Sequence, residues 1–195
     1  QKGLVAAWSE LHEGTNAELV GAKPIGALGE AGVVPTRLSS GIGELDRVLG
    51  GPKGAGGLVA GSAVLVGGEP GIGKSTLLLQ AAAAWAARGT KVLYVSSEES
   101  AQQIKMRSGR LVPGAASENL FVLADTNLAR IVEQTRKVLP AVLVIDSIQM
   151  VYKSDLPASP GSVTQLRRCC SELVYLAKLS GIAVVMVGHI TKDGQ

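Results

Sequence analysis

The chain has 195 residues, which is enough for one α/β domain with a buried core and a short additional segment. Hydrophobic residues make up 46% and aromatic residues only 3%, so the interior must be built from Ala, Val, Leu and Ile. A net charge of +3 does not by itself indicate nucleic acid binding, and the adjacent Cys169 and Cys170 exclude a disulfide framework and a four-cysteine metal site.

The chain carries no signal peptide and no apolar run long enough to cross a membrane. We therefore expect a cytoplasmic protein without a membrane partner.

The first part of the chain has a different pattern from the rest. Residues 1–34 are rich in Gly and Ala and show no sustained periodicity, so we expect a linker or N-terminal segment, either flexible or packed on the domain. From Ser62 onward, short β-branched runs alternate with helical patterns. This alternation predicts an α/β fold with a mainly parallel sheet and helices on both faces.

The predicted elements follow one another with short connections. Strands are expected at 63–66, 91–95, 120–123, 142–145 and 182–187, and helices at 75–88, 99–107, 128–139 and 163–179. Gly89 is expected to cap the first helix, and Pro140 to end the third. Ser162 and Gln165 have the spacing of a capping box at the start of the fourth.

A phosphate-binding loop lies between the first of these strands and the first helix. The sequence from Gly68 to Ser75 matches G-x-x-x-x-G-K-[ST] in full, so backbone N–H groups and the helix N-terminus are expected to hold a triphosphate. Lys74 is expected to reach the β- and γ-phosphates, and Ser75 to bind Mg²⁺. The expected nucleotide-binding residues are Gly68, Glu69, Pro70, Gly71, Ile72, Gly73, Lys74, Ser75 and Thr76.

Acidic residues follow two of the predicted strands. Asp146 ends the run from Ala141 to Ile145, which is typical of a Walker B strand whose acid holds Mg²⁺ through water. Glu98 and Glu99 follow the strand at 91–95, and either one is suited to orient the attacking water. The alternative is that both glutamates only cap the next helix.

Four segments narrow the class of protein: 40–51 (S-G-I-G-E-L-D-R-V-L-G-G), 67–77, 94–100 (Y-V-S-S-E-E-S) and 187–194 (V-G-H-I-T-K-D-G). The first is similar to the T-G-x-x-x-L-D-x-x-L-G-G segment of RecA-like recombinases. In this order, the four resemble the RadA (Sms) family of bacterial DNA-repair ATPases. The resemblance covers about residues 35–195 and implies a RecA-like P-loop NTPase core that uses ATP and Mg²⁺.

The resemblance also implies roles for individual residues. Glu98 matches the catalytic glutamate of RecA-like proteins and is preferred to Glu99. His189 matches the sensor position that contacts the γ-phosphate, and a solvated histidine at a strand end is the alternative. The loop at 150–162 is implied to face DNA, with phosphate contacts from Lys153, Arg167 and Arg168, unless it is merely solvated.

The family resemblance also implies partners that cannot be inferred from the residues of this chain alone. These are single-stranded or branched DNA, a homo-hexameric ring with ATP between subunits, and a recombinase. The sequence departs from the family pattern in having no cysteine before Cys169, so we expect no zinc site. It also stops at Gln195, before the K-N-R-F-G motif and the Lon-protease-like domain of the family.

Two functions are compatible with these residues. The first is a DNA-dependent ATPase that processes recombination intermediates, including by branch migration, during repair. The alternative is a KaiC-like nucleotide-gated ring that assembles without moving DNA.

Overall fold

The computed structural model describes residues 37–52, 55–111 and 117–189. Residues 1–34, for which we predicted a linker, and residues 190–194 of the last family-like segment lie outside the described residues. The centre of the fold is a five-stranded parallel sheet with the strand order β3-β7-β6-β4-β5. The predicted α/β fold is confirmed.

Each crossover between parallel strands carries a helix. The strands are β1 (Arg37–Leu38), β2 (Leu58–Val59), β3 (Ala63–Gly68), β4 (Val92–Ser96), β5 (Leu120–Ala124), β6 (Val142–Asp146) and β7 (Ala183–His189). The α-helices are α1 (Gly43–Leu49), α2 (Lys74–Ala87), α3 (Ala101–Leu111), α4 (Leu128–Val138) and α5 (Val163–Ser180). A 3₁₀ turn at Ile148–Met150 follows β6.

Helices cover both faces of the sheet. On one face, Leu78 and Trp85 of α2 and Ile104 of α3 pack against alternate strand residues such as Tyr94 and Val144. On the other face, α4 and α5 pack against the intervening residues. The core on this second face includes Leu93, Val95, Leu128, Ile131, Leu143, Ile145, Leu173 and Val184. Two buried faces explain why the central strands read as continuous apolar runs rather than as alternating ones.

The segment that resembles the recombinase motif contains α1 and lies between two short strands. β1 and β2 pair antiparallel, and α1 lies between them in the chain. Asp46 of α1 is buried and accepts hydrogen bonds from both the backbone and the hydroxyl of Ser40, each at 2.7 Å, and from Ser39 at 2.7 Å. Burial raises the pKa of Asp46, but these hydrogen bonds outweigh it and hold the pKa below its usual value. This aspartate is therefore a structural residue.

The glycine-rich stretch after α1 brings two backbones close together. Gly57 has φ of 140°, and a Cβ at this position would lie 2.4 Å from the carbonyl oxygen of Leu38. The Arg37 guanidinium donates to the carbonyls of Gly50 and Gly57 at 2.8 and 3.0 Å. Trp85 of α2 donates to the Leu38 carbonyl at 3.3 Å, and this hydrogen bond attaches β1 to the P-loop helix.

Most predicted boundaries agree with the structure to within two residues. Gly89 has the left-handed conformation expected after α2, and α4 ends before Pro140 as predicted, although Leu139 itself is left-handed. The main difference is α3, which was predicted at 99–107 and spans Ala101–Leu111. Its start is a full capping box, because Ser100 N–H donates to Gln103 Oε1 at 2.8 Å and Gln103 N–H donates to Ser100 Oγ at 3.3 Å.

Only one of the two hydrogen bonds of the capping box predicted for α5 is present. Ser162 Oγ accepts the Gln165 N–H at 3.3 Å, as expected. The Gln165 side chain, however, turns to the loop after β6, where it accepts the Lys153 N–H at 2.9 Å. Its amide also donates to the carbonyls of Lys153 and Ala158 at 3.1 and 2.9 Å. Gln165 is buried and braces this loop against α5.

Among the residues that the structure describes, every helix is either too short or too polar to span a bilayer.

Replacement of Gln165 by alanine is expected to lower the free energy of unfolding by about 2 kcal/mol, because buried backbone groups of the loop lose their partners. Urea denaturation measures this change. Gln103→Ala is the matched control, since Gln103 is exposed and caps only its own helix; we expect it to cost less than about 1 kcal/mol. Equal costs for the two variants would contradict the bracing role.

Candidate active site

The loop from Gly68 to Ser75 connects β3 to α2 at the carboxyl edge of the sheet. Gly71 and Gly73 have φ of 78° and 99°, which only glycine adopts without strain. Gly73 is the N-cap of α2, no side chain caps it, and the first turn carries no acidic residue. The N–H groups and the dipole at this helix end are therefore suited to an anion such as a phosphate.

Lys74 lies across the loop that contains it. Its side chain is buried, and the ammonium donates to the carbonyl oxygens of Gly68 at 2.8 Å and Glu69 at 2.7 Å. An ammonium has three donors, so two carbonyls fix the direction of the charge while a third N–H stays available for a phosphate oxygen. Thr76 follows Ser75 in the first turn of α2 and is partly buried.

Asp146 joins the P-loop helix to two strands. In the register of β4 and β6, Ser96 is opposite Asp146, and Tyr94 is opposite Val144. One carboxylate oxygen of Asp146, Oδ1, accepts the Ser75 hydroxyl at 3.0 Å, and the other, Oδ2, accepts the Tyr94 hydroxyl at 2.5 Å. Burial raises the pKa of Tyr94 well above its usual range and the Asp146 charge raises it further, so Tyr94 is the donor.

The two glutamates after β4 face in different directions. Glu98 is exposed, and its Oε1 accepts the Ser147 hydroxyl at 3.1 Å. Glu99 instead forms an ion pair with Arg107 of α3 at 2.6 Å, and its N–H donates to Ser96 Oγ at 3.0 Å. Glu98 therefore lies toward the loop after β6, whereas Glu99 is held against α3.

His189 lies at the end of β7, opposite Gly68 of β3, at the same edge of the sheet. Its Nε2 is 3.7 Å from Glu98 Oε1, and its carbonyl oxygen accepts the Gln149 side-chain amide at 3.1 Å. The ring nitrogen Nδ1 is buried and has no hydrogen-bond partner in the described part of the chain. The structure thus brings Glu98 and His189 together, next to the strand that leads into the P-loop.

The loop backbone after Asp146 is fixed by Ser97. The Asp146–Ser147 peptide is cis. Ser147 N–H donates to Ser97 Oγ at 2.9 Å, and Ser97 N–H donates to the Asp146 carbonyl at 2.8 Å. The strand ends that carry Asp146 and Glu98 are therefore bonded directly to each other.

The three cations predicted to contact DNA differ in their surroundings. The Lys153 ammonium is mostly buried and lies 3.1 Å from Asp155 and 3.4 Å from Glu172. Arg168 is paired with the same buried Glu172 at 3.1 Å. Arg167 is exposed and forms no ion pair among the described residues. Two of the three charges are thus paired with acids of this chain, whereas Arg167 has no such partner among the described residues.

The residues around Ser75 fit a magnesium ion. The Ser75 hydroxyl and the Asp146 carboxylate lie together, and hard oxygen ligands of this kind suit Mg²⁺, which retains several waters and binds through few protein groups. Among the described residues, the hydrogen bonds of the Ser75 hydroxyl and the Asp146 carboxylate involve only oxygen atoms. This pair would hold the ion beside the P-loop.

Sequence reasoning did not assign a role to Tyr94, Ser97, Ser147 or Gln149. Tyr94 was visible as part of a family-like segment, and strand alternation places its side chain on the same sheet face as Ser96. The serine contacts depend on the turn after β6, which the sequence pattern does not define.

Comparison with known proteins identifies the family of this chain. Residues 53–195 match the AAA domain family. The chain is 49% identical over 158 residues to the DNA repair protein RadA of Halalkalibacterium halodurans, which covers 81% of this chain and 33% of that protein. The RadA proteins of Bacillus subtilis and Escherichia coli are 48% and 49% identical with the same coverage. The chain thus spans about a third of the length of these relatives.

Proposed function

Because the chain belongs to the AAA domain family, we propose that it binds ATP with Mg²⁺ and hydrolyses it to ADP and phosphate in the service of DNA repair. The enzyme class, a P-loop nucleoside triphosphatase, follows from the family and from its RadA relatives. The observation that carries the proposal is the hydrogen bond from Ser75 of the P-loop to Asp146 at the end of β6. It joins a phosphate-binding helix to an acid suited to hold the metal.

The P-loop side of the site binds the triphosphate. The uncapped N-terminus of α2 and the Lys74 ammonium supply positive charge at the phosphates, where negative charge shifts as the β–γ bond breaks. Lys74 is fixed by two loop carbonyls, so its charge needs little reorganisation during the reaction. When bound, Mg²⁺ supplies further charge stabilisation at the β- and γ-phosphates.

The opposite side of the site positions water. Glu98 is exposed at the carboxyl edge of β4, where its carboxylate accepts a hydrogen bond from water and so orients it toward the γ-phosphorus. Ser147 holds one oxygen of Glu98, and His189 lies within reach of the same oxygen. A new bond from water oxygen to phosphorus forms as the bond to the ADP oxygen breaks.

The DNA repair role is supported by the three relatives compared above, each of which is named DNA repair protein RadA. We propose single-stranded or branched DNA as the partner, contacted by the exposed Arg167 rather than by Lys153 or Arg168. Assembly into a hexamer and contact with a recombinase are supported only by the family resemblance. The cytoplasm is the compartment that a role on bacterial DNA requires.

Replacement of Glu98 by glutamine is expected to lower the ATP turnover number about 100-fold or more, with nucleotide affinity retained, because the water-orienting charge is lost. Glu99→Gln is the matched control, and we expect it to change turnover by less than about threefold, since its ion pair with Arg107 is partly exposed. Phosphate release with Mg-ATP measures both, and Lys74→Ala gives the background rate. A larger loss for Glu99→Gln would assign the role to Glu99.

Removal of the Arg167 charge is expected to weaken binding to single-stranded DNA. The slope of log affinity against log salt concentration is expected to become smaller by about 0.7, because one phosphate contact is lost. Fluorescence anisotropy with labelled oligonucleotide and ATP at several salt concentrations measures both. Arg47→Ala removes the same charge from an exposed site on α1 and is expected to leave the slope unchanged. Absence of binding at low salt would favour the nucleotide-gated ring without DNA.

A further inference from the structure

Tyr94 is buried between the sheet and the P-loop helix and is fully excluded from solvent. Its side chain lies on the sheet face that α2 covers, together with Val92 and Val144. The hydroxyl reaches past this apolar layer to Asp146 Oδ2 at 2.5 Å and lies 3.5 Å from the Ser75 carbonyl oxygen. A single side chain thus contacts both residues that would hold the metal.

The two oxygens of Asp146 have different partners. Oδ2 accepts the Tyr94 hydroxyl, and Oδ1 accepts the Ser75 hydroxyl. The Asp146 side chain has only two rotatable bonds, so a donor fixed to one carboxylate oxygen restricts where the other oxygen points. Tyr94 is well suited to this task because its ring is enclosed by the core and cannot follow a rotation of Asp146.

We propose that Tyr94 is a positioning residue for Asp146, holding one carboxylate oxygen so that the other faces Ser75 and the magnesium ion. This inference rests on the magnesium-dependent nucleotide binding proposed above. Groups that orient metal ligands from the second layer of a site commonly change metal affinity 10- to 100-fold when they are removed, roughly the range expected here.

A purely structural role for this hydroxyl makes a different prediction. A buried phenol needs a hydrogen-bond partner, and Asp146 satisfies that need without any consequence for the metal. Tyr94→Phe would then change the stability of the ligand-free chain and leave its response to magnesium intact. The two roles are therefore separated by the magnesium response rather than by stability or turnover.

The experiment compares thermal melting of the wild type, Tyr94→Phe and Tyr175→Phe with ADP in EDTA and with ADP over a range of magnesium concentrations. Phenylalanine keeps the ring and removes only the hydroxyl, and Tyr175 is an exposed tyrosine on α5 that serves as the matched control. We expect Tyr94→Phe to keep the stabilisation by ADP in EDTA. We expect its half-saturating magnesium concentration to rise about tenfold, and that of Tyr175→Phe to match the wild type.

Each outcome has a distinct meaning. If the wild type shows no additional stabilisation by magnesium, the proposed metal-dependent function fails. If the wild type shows it and Tyr94→Phe has the same half-saturating concentration, the positioning role is overturned while the function stands. Should Tyr94→Phe melt too low for this assay, binding of a fluorescent ADP analogue titrated with magnesium in the cold gives the same comparison.

Discussion

A carboxylate buried at the end of a strand is costly unless hydrogen bonds replace the water that it loses. Asp146 meets this constraint with two hydroxyls, Ser75 from the P-loop helix and Tyr94 from the neighbouring strand. Those donors are 71 and 52 residues away in the chain, so one charged group fixes the relative positions of three distant elements. The glycine-rich loop, the proposed metal ligands and the sheet edge are therefore arranged around the same side chain.

The residues proposed to position water are hydrogen-bonded to the same strand end. The Asp146 carbonyl accepts the Ser97 N–H, and the following Ser147 donates to Glu98. Glu98 follows β4 and Asp146 ends the adjacent strand β6, so these hydrogen bonds hold the two acids at the same edge of the sheet. Ion pairs also distinguish the three cations near α5: Lys153 pairs with Asp155 and Glu172, and Arg168 pairs with Glu172, whereas Arg167 forms no ion pair among the described residues.

The fold and the position of the glycine-rich loop could be predicted because they depend on local signals, such as apolar runs, capping glycines and contiguous motif residues. The side-chain partners were harder to predict, because they depend on contacts between residues that are distant in the sequence. Ser100 with Gln103 and Ser162 with Gln165 have the same spacing, yet only the first pair forms a full capping box, because Gln165 is taken by a loop that packs on α5. Likewise, the pairing of Lys153 depends on Glu172 in the next helix, and the choice between Glu98 and Glu99 depends on Arg107 and Ser147.

We expect Asp146 to make nucleotide binding dependent on magnesium. Isothermal titration calorimetry of Asp146→Asn and the wild type with a non-hydrolysable ATP analogue, in magnesium and in EDTA, tests it most directly. Asparagine keeps the size of the side chain and an acceptor oxygen but removes the charge that attracts the ion. We expect the wild type to bind more tightly with magnesium and Asp146→Asn to bind equally in both conditions. If magnesium increased the affinity of Asp146→Asn as much as that of the wild type, this role of Asp146 would be contradicted.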